Sequence, residues 1–155
     1  MKFIICAVGH KMPDWVAAGF REYARRMPHE AAIELVEIKP EKRTGLKVEQ
    51  LLDAEADRIL AAIPSRRRVV VMDERGRQWS TARLAESVRN WMREGGDTVF
   101  IIGGADGLAA AIRNSADEVL ALSALTMPHA LARILLAEQL YRAVSLIKGH
   151  PYHRG

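Results

Sequence analysis

Cysteine is almost missing from this sequence: Cys6 stands alone, inside an apolar run. No disulfide can form within the chain, which suits a reducing compartment, and a lone cysteine in such a run reads as a small buried core residue. Long apolar runs are missing too. Nothing approaches the ~20 residues a membrane span needs. The apolar part of MKFIICAVGHK is too short for a signal peptide and ends in polar residues, so the expectation is a cytoplasmic protein. Repeats, low-complexity tracts and composition breaks are absent, and residues 1–155 read as one domain of ordinary length. Neither the dinucleotide glycine fingerprint nor a Gly-Lys-Ser/Thr phosphate loop occurs. His150 and His153 have no cysteine or carboxylate near them in the sequence to complete a metal set, so no metal is expected.

Apolar residues make up 49% of the chain and charged residues 27%. That is enough for a real core and too evenly spread for long disorder. The formal net charge of +4 permits a polyanionic partner without establishing one. Residues 2–9, 31–38, 68–72, 98–102 and 118–122 have the β-type apolar pattern, and 68–72 (RVVVM) is continuous enough to be buried on both faces. Helical spacing separates them. Trp15, Val16, Gly19, Phe20, Tyr23 and Met27 define one buried face after Pro13. Val48, Leu51, Leu52, Ile59 and Ile63 mark a second helix, and Leu84, Val88 and Trp91 a third behind a Ser80 cap. A short helix follows Gly107, and the longest begins at Pro128 and runs to about Ile147. Gly76 is expected to turn the chain, and 39–47 to be a loop. Strands alternating with helices imply a parallel α/β sheet covered on both faces.

Three segments could carry chemistry. Ile102-Gly103-Gly104-Ala105-Asp106-Gly107 follows a buried strand, where glycines would let a ligand approach the backbone and where open α/β sheets bind ligands. Leu122-Ser123-Ala124-Leu125-Thr126-Met127-Pro128-His129 is a second strand-to-helix loop, neutral until His129 and better suited to a sulfonium cofactor than to a phosphate. His129 falls in the first helical turn, where the dipole disfavours the charged imidazole. The tail His150-Pro151-Tyr152-His153-Arg154-Gly155 offers a ring for stacking and a guanidinium for an anion. On the last helix, Leu136, Leu140, Ala143, Val144 and Ile147 form one stripe. Leu131, Ile134, Leu135, Tyr141 and Leu146 lie elsewhere on the cylinder, which predicts a partner surface and most simply a symmetric dimer. Glu138 and Arg142 stand at i and i+4, as an ordinary ion pair or as an interface pair beside the site.

GGADG, LSALTMPH, AEQLYRA and HPYHR, in that order and with AVGHKMPDWV at the start, resemble the SPOUT methyltransferases over essentially the whole chain. Within that family they are most similar to the small bacterial enzymes that N3-methylate a pseudouridine in large-subunit (23S) ribosomal RNA. The resemblance implies a parallel-sheet α/β/α sandwich with a deep C-terminal trefoil knot. Pattern alone would give an unknotted doubly wound sheet, because knots are rare. It further implies S-adenosylmethionine held by Met72, Gly103 and the loop Leu122, Ser123, Ala124, Leu125, Thr126 and Met127. His129, Arg142, Tyr152, His153 and Arg154 are implied on the RNA side, with the tail of one subunit of a homodimer completing the pocket of the other on the assembled ribosome. Methylation of another RNA such as transfer RNA, and a non-enzymatic RNA-binding or assembly role, stay open at this point.

Overall fold

The computed structural model describes residues 1–153. In chain order the elements are β1 (Lys2–Val8), α1 (Asp14–Ala24), β2 (Ala32–Ile38), α2 (Val48–Ala62), β3 (Arg67–Gln78), α3 (Thr81–Glu94), β4 (Asp97–Ile102), α4 (Ala110–Ser115), β5 (Glu118–Ala121) and α5 (His129–Ile147), with 3-10 turns at His29–Ala31 and Pro151–His153. The strands pair in parallel in the order β2-β1-β4-β3-β5. This is the parallel α/β architecture expected from the alternating pattern.

The side-chain period of two sorts each central strand onto two faces. Phe3, Ile5, Ala7, Val70 and Phe100 point into one core with Phe20, Val88, Trp91, Leu136, Leu140 and Val144 from α1, α3 and α5. Ile4, Cys6, Val8, Val69, Val71, Val99 and Ile101 point into the other with Ile59 of α2 and Ile112 of α4. Side chains buried this fully contribute about 1.5–3 kcal/mol each, which is why continuous apolar strands end up in the centre of the sheet. Cys6 is one of them, and burial pushes its thiol up to about 12.

Local signals work where they are strong. The Ser80 hydroxyl oxygen accepts from the Arg83 amide at 3.1 Å and caps α3. Gly95 ends that helix at φ +76°. Glycine adopts that conformation without a steric penalty.

Three expectations are corrected. Trp15 is 58% exposed and does not belong to the buried face of α1. Part of the second apolar set on α5 is covered within the chain: Ile134 packs on Gly19 of α1, and Leu146 joins the same core, whereas Leu131 and Leu135 stay exposed. Gly76 does not end a strand. β3 runs on to Gln78, and Met72 and Arg77 both pair with Leu120, so residues 73–76 bulge out of the ladder between them. A Cβ on Gly76 would stand 2.7 Å from the Leu120 carbonyl carbon and 2.8 Å from the Val119 carbonyl carbon. Only glycine lets the bulge return this close to β5.

Candidate active site

The carboxyl ends of β3, β4 and β5 surround a cavity of about 880 Å³. Its floor and one wall are Met72 and Ile102, the last pair of the β3–β4 ladder, with Gly103 and Gly104. A second wall is the loop after β5, through Leu122, Ser123, Leu125, Thr126 and Met127, closing on His129 at the first turn of α5. Leu52, Leu108 and Ala132 add apolar surface. The cofactor residues implied by the resemblance thus converge, except that the exposed Ala124 does not line the cavity.

The glycine loop, which lines the cavity, also carries a constraint of its own. A Cβ on Gly103 would sit 2.6 Å from the Gly107 carbonyl oxygen and 2.9 Å from Leu108 Cγ. The loop folds back on itself, with the Gly107 amide donating to the Gly104 carbonyl at 3.1 Å. The missing side chain is therefore required by the loop's own closure.

The β3 bulge supplies a charged wall that periodicity did not reveal: Asp73, Glu74 and Arg75, joined by Asp106 and by Arg113 of α4. Their stretch, DERGRQ, has no apolar alternation, and only the length mismatch between β3 and β5 exposes it as part of the sheet. The Asp73 carboxyl is opposed by burial, which would raise it, yet hydrogen bonds to Arg75 and the charges of Arg75 and Arg113 hold it below its usual value. Thr126 Oγ1 donates to Glu74 Oε2 at 2.9 Å and ties the loop after β5 to the bulge. Arg43 pairs with Asp106 at 2.9 Å. The lining holds three carboxylates (Asp73, Glu74, Asp106) and two guanidiniums (Arg75, Arg113), and Arg43 balances the third carboxylate from outside it. Lys11 and Asp14, which border the end of β1, do not line it.

His129 is partly buried at the cavity rim. Burial, followed by the positive charge of Arg133, holds its imidazole below the ordinary value, so the neutral ring is favoured.

Arg142, Tyr152 and His153 lie elsewhere. His129 and Arg142 are thirteen residues apart on α5. At about 1.5 Å of rise per residue, that separates them by roughly 20 Å along the axis. The tail turns back onto that far half of the helix. Tyr152 Oη donates to Glu138 Oε1 at 3.1 Å, and its ring lies 4.5 Å from that of Tyr141 between centroids. The Arg142 guanidinium stands 5.0 Å from the Tyr152 ring centroid and pairs with Glu138 at 2.6 Å. None of these three lines the cavity of its own chain. Arg154 lies outside the described residues. Trp79 packs on Trp91, 6.4 Å between centroids, against the core. Among the described residues no cluster of His, Cys, Asp or Glu is arranged to hold a metal ion, and no helix is long and apolar enough to cross a membrane.

The family described as "Predicted SPOUT methyltransferase" matches residues 1–153. The chain belongs to the SPOUT methyltransferase family. It is 72% identical over 155 residues to the "Ribosomal RNA large subunit methyltransferase H" of Nitrosospira multiformis, with 99% of each chain covered. It is 60% identical over 154 residues to the protein of that name from Nitrosomonas eutropha, again over 99% of both. Among solved structures, a methylase family protein from Haemophilus influenzae Rd KW20 matches with a TM-score of 0.54 at 15% identity, covering 99% of this chain and 70% of the other. A Legionella pneumophila methyltransferase, solved in complex with the bound cofactor SAM, matches with a TM-score of 0.52 at 12% identity, covering 93% and 66%. These two likenesses speak to the SPOUT fold. Ligand sites on α/β sheets are expected at strand carboxyl ends, where the cavity lies.

Proposed function

We propose that this SPOUT methyltransferase transfers a methyl group from S-adenosylmethionine to N3 of a pseudouridine in 23S ribosomal RNA, in the cytoplasm and on assembled ribosomes. The observation that carries the substrate is the full-length, 72% likeness to a relative named for the large-subunit ribosomal RNA. The C-terminal trefoil knot comes with the same family reading.

The cavity suits the cofactor. Its volume of about 880 Å³ lies within the range of small-molecule sites. Leu52, Leu108, Leu122 and Met127 offer an apolar side for the base, and the Asp73 and Glu74 carboxylates in the lining suit a compound that carries a sulfonium cation. Met72, Gly103 and the loop 122–127 would hold it. When bound, S-adenosylmethionine supplies an already activated methyl group.

The chain's own residues then position and deprotonate. His129 at the rim, where burial and Arg133 favour the neutral ring, would accept the proton that N3 must lose. Arg142 would steady the negative charge left on the ring oxygens, and Tyr152 would hold the ring, with His153 and Arg154 beside them on the RNA. In one chain Arg142 sits roughly 20 Å from the cavity rim along α5. The reading therefore includes a homodimer in which each tail serves the partner's cavity, with the exposed Leu131 and Leu135 of α5 in the contact.

Mass spectrometry of ribosomal RNA from cells lacking the protein tests the substrate. N3-methylpseudouridine should be missing and should return when the purified chain and S-adenosylmethionine are added to those ribosomes. Its undiminished presence in the deletion, or transfer only to transfer RNA in a parallel assay, would reject the reading.

A further inference from the structure

Arg133, on the second turn of α5, is the largest fully buried side chain among the described residues, with 1% of its surface exposed. Its Nη1 donates to Glu37 Oε2 of β2 at 2.9 Å. Nε and Nη2 are buried and have no hydrogen-bond partner among the described residues. Those two nitrogens form one complete edge of the guanidinium fork. A buried charge with most of its N–H donors unpaired is costly, and an apolar side chain of similar volume would serve packing better. Glu37 does not need the arginine, because the carboxylate is 38% exposed to water.

The group that feels the arginine's charge from inside the fold is His129, one helical turn earlier on the same face. Both converge on Gly9, at the end of β1. A Cβ on that residue would stand 3.4 Å from Arg133 Nη2 and 3.4 Å from His129 Nε2, and 2.9 Å from Met12 Cε. Gly9 has φ +145°. Side chains rarely adopt that value, so the bare α-carbon and the two nitrogens fit together without anything between them.

We infer that Arg133 is a positioning residue for His129: braced by Glu37 and standing with His129 over the bare backbone of Gly9, its guanidinium keeps the imidazole available at the cavity rim as the proton acceptor. This rests on the methyl-transfer reading for what the proton is. The guanidinium favours the uncharged ring, and the α5 dipole acts in the same direction because His129 is the first residue of the helix. Other charged groups lie on the elements around the ring. His10 and Lys11 follow Gly9 in the same loop, and Glu37 reaches it only through Arg133. From the cavity wall come Asp73, Glu74 and Arg75 of β3, Asp106 and Arg113. Each of those carboxylates already has its own partner: Arg113 for Asp73, Thr126 for Glu74 and Arg43 for Asp106.

The test is an NMR titration of His129 in the full-length protein, its resonance assigned with H129Q, paired with the pH dependence of methyl transfer to ribosomes. R133M should move the His129 midpoint up, and E37Q, which leaves the arginine less neutralised, should move it down. The acid limb of the rate profile should follow in both directions. R133K should leave the midpoint near that of the parent protein but lower turnover several-fold, with cofactor affinity unchanged. If R133M does not fold, the sign of the E37Q shift decides. Midpoints that stay still in R133M and E37Q overturn the inference. So does a midpoint that moves while the rate profile does not, since His129 would then not be the proton acceptor. Should the parent chain transfer no methyl to ribosomes while the midpoints move as described, the substrate reading fails and the Arg133–His129 coupling stands.

Discussion

Tyr152 Oη and Arg142 Nε both donate to Oε1 of Glu138, at 3.1 and 2.9 Å, so one carboxylate oxygen binds the tail to the far half of α5. Burial pushes the Tyr152 phenol up to about 12, and the Glu138 charge adds to it. An unfolded phenol titrates near ~10. With the folded value raised, the contact's contribution is complete below about pH 10 and is lost as pH climbs towards about 12. Tyrosinate absorbance should therefore show one late-titrating tyrosine, and limited proteolysis of the tail should accelerate over that window. E138Q should bring the late phenol down towards its ordinary value. A titration unchanged by E138Q would contradict the contact.

A site shared between subunits makes a sharp prediction about mixtures. G103V removes the cavity and Y152A removes the tail ring, so each homodimer should be nearly inactive. After unfolding and refolding together in equal amounts, about half the dimers should be mixed, and each mixed dimer carries one intact site. Activity should recover to about a quarter of the parent level. No recovery in a mixture shown to contain mixed dimers would mean that the tail acts on its own cavity or not at all.

Gly103 should be the most sensitive position of the cofactor loop. Valine there collides with the Gly107 carbonyl 2.6 Å away, and neither backbone can yield without opening the turn. Calorimetry on G103V should show no binding of S-adenosylmethionine while the far-ultraviolet spectrum stays that of the parent.

The Thr126–Glu74 hydrogen bond joins the two sides of the cavity at 2.9 Å. T126V should cost about 1 kcal/mol of the closed arrangement, equivalent to about a fivefold rise in Kd for S-adenosylmethionine. E74Q can still accept from the hydroxyl and should cost less. Equal losses in the two variants would argue against the bond.

Gly76 provides a test of stability rather than of binding. The nearest neighbours of an alanine Cβ there are backbone atoms, the closest at 2.7 Å, so β3 and β5 must separate. G76A should lose about 1–3 kcal/mol in urea unfolding, as overpacked sites do.

Much of this molecule could be read before any coordinates. KFIICAV, RVVVM and TVFII are apolar almost without interruption because they are buried on both sheet faces, and such runs state their own location. The Ser80 cap, Gly95 and the proline before α5 mark helix ends by local geometry alone. The family resemblance added the identity of the loops, and the structure gathers two of them, GGADG and LSALTMPH, around one cavity.

Other features have no local signature. DERGRQ reads as a polar turn, yet it completes β3, and its bulge exists only because β5 is there to be bridged by Met72 and Arg77. Arg133 looks like a surface residue in LARILL. It is buried because α5 lies against β1 and β2, where Glu37 and Gly9 meet it. Composition and period specify which segments form strands and helices, since those depend on neighbours a few residues away. Pairings between positions 37 and 133, or 9 and 129, depend on how the layers stack, and that is settled only when distant segments compete for the same space.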